Sequence, residues 1–189
     1  MDIDTLVTIG GIFLLLILSG IFSGSETALT AASQPRMHLL QQQGDRRAGI
    51  VTRLFAQREK LIGAILLGNN LVNILASALA TSLMINYFGS RGVLFATVAM
   101  TLLVLIFGEV LPKTYAFYNA DLVALKVAPA FRYIVALLSP VTETVNLVIR
   151  ATMRLAGVRI GTEGEEAQAE EALRGAIELH AGDEPDSHQ

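Results

Sequence analysis

Apolar positions in this chain come in long unbroken runs, and polar positions are confined to short intervals near one end of each run. The run 93–107 reads VLFATVAMTLLVLIF and leads into Gly108-Glu109-Val110-Leu111-Pro112-Lys113. Ser23-Gly24-Ser25-Glu26-Thr27 interrupts the first run, and Asn69-Asn70-Leu71-Val72-Asn73 the second. Crossing about 30 Å of hydrocarbon takes about 20 mostly apolar helical residues. Three stretches, roughly 3–29, 61–88 and 92–115, meet that length. The pattern predicts an all-α membrane protein with three transmembrane helices.

The stretch 121–157 is also apolar, but Lys126, Arg132, Glu143 and Arg150 recur through it, and Pro129 and Pro140 are expected to kink or break a helix there. Charges spaced among apolar residues suit helices lying in the interface plane, with Lys and Arg reaching toward headgroups. A juxtamembrane interfacial helical belt is therefore expected, with a fourth crossing as the alternative. The segment Pro35-Arg36-Met37-His38-Leu39-Leu40 predicts a similar short helix in the first loop. From Glu163 onward, Glu165, Glu166, Glu170, Glu171 and Glu178 crowd a segment with alanines, which reads as a solvated acidic helix before an unstructured end. The domain reading is 1–157 for the membrane and juxtamembrane part and 158–189 for the acidic helix and tail.

Composition agrees with a membrane class. The 189 residues are 52% hydrophobic and 16% charged, with a mean hydropathy of +0.53, too apolar for an ordinary soluble domain. There is no cysteine, hence no disulfide framework and no thiolate metal site. The head Met1-Asp2-Ile3-Asp4 is acidic where a cleaved signal peptide would be positive, so the first run is expected to stay as a helix. Basic residues crowd the first loop (Arg36, Arg46, Arg47, Arg53, Arg58, Lys60) and the part after the third run, while the connection 89–91 holds only Arg91. The positive-inside rule then places the N-terminus outside and the C-terminus in the cytoplasm of a multi-pass cell-membrane protein.

The chemistry lies in the polar intervals. An ionisable side chain at bilayer depth costs roughly 3 kcal/mol on insertion scales, so Glu109 needs a partner or a cation. Lys113, four residues on, is one candidate partner. Asn70, Asn73 and Ser77 share one helix face by their spacing. Gly20, Gly24 and Ala28 make a small-residue stripe, with Ser19 and Ser23 beside it. Ser and Asn also commonly hydrogen-bond between membrane helices, and such stripes commonly just pack. A carboxylate with amide, hydroxyl and carbonyl oxygens, without sulfur or histidine, favours a hard cation. Pro112 cannot donate to the carbonyl of Gly108, which leaves an oxygen beside Glu109; the plainer reading is a simple kink. No Ser/His pair, paired aspartates or zinc motif lies in the spans, so an intramembrane hydrolase, or an enzyme of any kind, is not expected.

Together, Ser23-Gly24-Ser25-Glu26-Thr27-Ala28, Leu67-Gly68-Asn69-Asn70-Leu71-Val72-Asn73 and Gly108-Glu109-Val110-Leu111-Pro112-Lys113 resemble the transmembrane domain of the CorC/cyclin-M (CNNM) family of magnesium transporters. The resemblance covers about 4–157. It implies a homodimer in the lipid bilayer, each protomer with three membrane helices and a helical belt. It also implies sodium-coupled magnesium export by alternating access, with a dehydrated Mg2+ held inside the membrane and Na+ as coupling ion. By the resemblance Ser25, Asn70, Gly108 (carbonyl) and Glu109 are metal ligands, Ser23 and Asn73 are their neighbours, and Lys113 is a basic gating or charge partner. Glu26 matches as a structural residue. A membrane magnesium sensor or scaffold that moves no ion is the alternative. Nucleic acid is not an expected partner, and ATP-binding CBS domains belong only to a full-length form.

Overall fold

The computed structural model describes residues 2–155, and within them every regular element is helical. Helix α1 (Ile3–Ala31) is followed by two short helices, α2 (Gln34–Gln42) and α3 (Arg46–Ala56), and by the long α4 (Arg58–Phe88). A 3-10 turn, Gly89–Arg91, leads into α5 (Gly92–Leu103), a π-helical segment (Val104–Val110) and α6 (Leu111–Tyr118). The last element is α7 (Ala120–Leu155). The three expected spans are thus continuous helical stretches, α1, α4 and α5 through α6. The acidic segment from Glu163 and the boundary at 157/158 lie outside the described residues.

Local signals account for the breaks. Ser33 caps α2 by accepting the Arg36 N–H at 3.4 Å, with Pro35 in the first turn. Asp45 caps α3 by accepting the Arg47 N–H at 2.7 Å. Helix α3 was not anticipated, although the Asp45 cap was there to be read. Gly89, with φ of +60°, ends α4 in the left-handed region that glycine enters freely. Gly92 completes the turn, because any side chain there would run into the Met84 carbonyl.

The exterior is as apolar as the interior, unlike that of a soluble protein. Phe13, Leu14, Ile17 and Ile21 of α1 and Leu94, Phe95 and Val98 of α5 are exposed, whereas Ser19, Ser23 and Ser25 are buried. An apolar exterior of that extent needs lipid as its solvent. Two apolar clusters hold opposite ends of the helices. One gathers Ile12, Leu16, Ala76, Ala80, Leu83 and Met100, and near it Thr5 Oγ1 lies 3.2 Å from the Tyr87 hydroxyl. The other joins the ends of α1 and α6 and the start of α4 to the short helices, through Leu29, Met37, Val51, Leu61 and Ala116.

Helix α7 departs from expectation in one respect. Pro129 and Pro140 sit inside it without breaking it, and over 120–153 it is long and apolar enough to cross a membrane. Its buried residues Ala124, Ala128, Phe131 and Val135 nevertheless all join the second cluster and none joins the first. Phe131 meets Phe22 edge-on, centroids 5.6 Å apart. Asp121 accepts the Ser33 N–H at 2.9 Å and pairs with Arg36 at 3.0 Å, and Glu143 pairs with Lys60 at 2.7 Å. Residues 121–143 of α7 are therefore fastened to one end of the bundle. Residues up to Glu143 form one compact unit, which contains the whole candidate site.

Candidate metal centre

Helix α1 supplies hydroxyls. Ser19 and Ser23, one turn apart, are fully buried, and Ser25 is nearly so. The Ser19 hydroxyl donates to Asn69 Oδ1 of α4 at 3.3 Å. The hydroxyls of Ser23 and Ser25 and the Oδ1 of Asn73 are buried and have no hydrogen-bond partner. Leaving a buried polar atom unpaired costs about 1–3 kcal/mol, and native structures keep few. Two of these atoms are on α1 and one is on α4.

The third stretch supplies the carboxylate and backbone oxygens. Between α5 and α6 the chain widens into the π-helix, in which Leu111 N–H donates to Ile106 O, five residues back. The next donor in that register would be residue 112, which is proline and has no N–H. The carbonyl facing the missing donor is then Phe107 in the π register and Gly108 in the α register. Helix α1 comes very close here. A Cβ on Gly20 would lie 3.1 Å from the Phe107 oxygen, and one on Gly24 would lie 3.3 Å from the Pro112 oxygen. A Cβ on Gly108 would sit only 2.7 Å from Ser19 Oγ. The small stripe of α1 thus packs on the third stretch within one protomer, and Ser19, Asn69 and Gly108 meet at one level.

Glu109 is half-buried in the π segment, and its carboxylate makes no hydrogen bond or ion pair among the described residues. Lys113 is engaged elsewhere, with Nζ 3.3 Å from Glu26 Oε2. That corrects the expectation of a Glu109–Lys113 pair. Residues four apart stack in an α-helix, but across a ring closed at five residues the fourth falls short of a full turn. Glu26, read from sequence as structural, is therefore the partner of the candidate gating residue.

Glu109 and Asn73 line one groove of about 390 Å3 between α4 and the third stretch. Asn70 is exposed, one turn nearer the start of α4 on the same stripe as Asn73 and Ser77. The structure therefore unites Asn73 with Glu109, and Gly108 with Ser19. Ser23 and Ser25 are buried in α1, and Asn70 stands at the open edge of the stripe. Ser19, Asn69 and the Phe107 carbonyl complete the polar region and were not named as candidate ligands from sequence. No group of three or more His, Cys, Asp or Glu side chains that could hold a metal occurs among the described residues. The donor set is one carboxylate with neutral oxygens, which fits a hard cation and not zinc.

The family model for the cyclin M transmembrane N-terminal domain matches residues 10–186. The chain belongs to the cyclin M family. Family relatives include the UPF0053 inner membrane protein YfjD of Escherichia coli, 37% identical over 157 residues, which are 83% of this chain and 37% of that protein. A UPF0053 protein of Haemophilus influenzae is 33% identical over 82% of this chain and 37% of its own length. A chloroplastic DUF21 domain-containing protein of Arabidopsis thaliana is 31% identical over 86% of this chain and 25% of its own. The chain thus spans little more than a third of the length of the first of these relatives. Family membership and the apolar helices make it a membrane protein.

Proposed function

We propose that this cyclin M domain transports magnesium, holding a dehydrated Mg2+ between its membrane helices and exchanging it for sodium by alternating access. Glu109 is the charged ligand. Ser25, Asn70 and the Gly108 carbonyl complete the inner set, Ser23 and Asn73 stand beside it, and the Phe107 carbonyl is a further backbone donor. The observation that carries this reading is the unpaired carboxylate of Glu109, within a membrane helix whose nearest lysine is committed to Glu26. A charge kept at that depth is kept for a function. Neutral oxygens suit magnesium because each replaces a water without adding a second buried charge.

In the same proposal the N-terminus is outside, α2, α3 and the α7 belt lie at the cytoplasmic face, and two copies associate in the bilayer. Magnesium flux through liposomes containing only the purified protein tests the transport reading. Mg2+ should move down its gradient and faster against an opposed sodium gradient, and Glu109→Gln should abolish the movement. Binding without flux would instead identify a membrane magnesium sensor.

A further inference from the structure

The groove beside Glu109 extends well beyond any set of inner ligands. It runs along α4 past Asn73, Ser77 and Thr81, and along α5 past Thr97 and Thr101. Both rows climb at helical spacing toward the end of the bundle that carries the Gly89–Arg91 turn. The hydroxyls divide by depth. Those farthest from Glu109 are satisfied by their own helices: Thr81 donates to the Ser77 carbonyl and Thr97 to the Val93 carbonyl, each at 2.8 Å. Those nearer to it are free, because the side-chain hydroxyls of Ser77 and Thr101 make no hydrogen bond, and neither does Asn73 Oδ1. Three residues with unpartnered neutral oxygen groups and the unpaired Glu109 therefore line one space of about 390 Å3, which they share with the apolar Ala96, Met100, Val104 and Leu105. A water molecule takes about 30 Å3, so an ion fits there together with much of its hydration shell.

Resting on the transport reading, we propose that this groove is a second, hydrated cation site, separate from the inner ligand set. There Asn73, Ser77 and Thr101 grip a hard cation through its water shell on its way to or from Glu109. Magnesium gives up water reluctantly and usually keeps several waters when bound. Polar groups along a groove next to a dehydrating site let the shell be removed or rebuilt stepwise, with hydroxyl and amide oxygens accepting from the ion's waters. Sodium answers to the same oxygen chemistry, so the occupant has to be decided by experiment.

The natural absence of cysteine makes the test clean. Thr101→Cys, Ser77→Cys and, as a lipid-facing control, Leu102→Cys are placed in the full chain in nanodiscs and treated with a charged methanethiosulfonate reagent. Only a thiolate in contact with water reacts. Thr101→Cys and Ser77→Cys should react at least about tenfold faster than Leu102→Cys, and MgCl2 or NaCl should slow them relative to choline chloride at equal ionic strength. Protection by either salt supports the site and names its ion. Rates as slow as at Leu102, or rates that neither salt changes, overturn it. Thr101→Val with Ser77→Ala should slow magnesium flux several-fold while calorimetric Mg2+ affinity stays within about twofold, and unchanged flux overturns the proposal. Loss of Glu109-dependent Mg2+ binding would instead sink the transport reading, so the two failures can be told apart.

Discussion

Position 108 shows how tightly the polar level is built. A methyl there would lie 2.7 Å from Ser19 Oγ, which is itself bonded to Asn69. Gly108→Ala should therefore lower stability by about 1–3 kcal/mol, the usual range for overpacking, seen as a lower thermal midpoint in detergent. Ser19→Ala removes the colliding oxygen and leaves its Cβ at an ordinary 3.5 Å. The double variant should be more stable than the sum of the single effects allows, and simple additivity would contradict the contact. Glu109 and Asn73 were legible from sequence because a carboxylate and an amide stand out against an apolar run. Ser19 and Asn69 were not, since serine is ordinary packing material in membrane helices and the 70, 73, 77 spacing drew attention to Asn70. Only the approach of α1 to the third stretch reveals them.

Among the elements, the π segment is the one that sequence concealed. Residues 93–107 are apolar apart from Thr97 and Thr101, and 102–107 hold no polar residue, so their pattern carries no period from which a register change can be read. Pro112 gave the right neighbourhood and half of the answer, a missing donor, while the widened register adds Phe107 to Gly108 as a carbonyl affected. Pro112→Ala supplies that donor. It should leave folding intact and weaken Mg2+ binding measured by calorimetry, and unchanged affinity would show that the proline only shapes the helix. Helix α7 teaches the opposite lesson. Its prolines suggested a kink or a break, and the helix continues through both, with contacts from Ala124 to Val135 and the Lys60–Glu143 pair holding it against the bundle. Tertiary packing overrides a local breaker there.

At the scale of the molecule, the long apolar runs conveyed the membrane class, because the bilayer imposes a length rule that a sequence shows directly. Partner copies obey no such rule. The stripes that invite close approach, Gly20 with Gly24 and Ala76 with Ala80, are used inside the protomer. The proposed dimer would then use the apolar faces left exposed, and it predicts a mass of two protomers in lipid nanodiscs; a monomer would refute it. Topology is checked by cysteines at Arg46 and Met153. The belt arrangement predicts that both are labelled from the same face of the membrane, and labelling from opposite faces would mean that α7 crosses.

The central proposal is that the unpaired Glu109 is the charge of a cation site, and titration calorimetry of the purified protein with MgCl2 tests this most directly. Parent protein should bind Mg2+, Asn70→Ala should bind it more weakly, and Glu109→Gln should lose at least about tenfold in affinity, a factor equal to about 1.4 kcal/mol. Glu109→Gln binding as tightly as the parent would contradict the account.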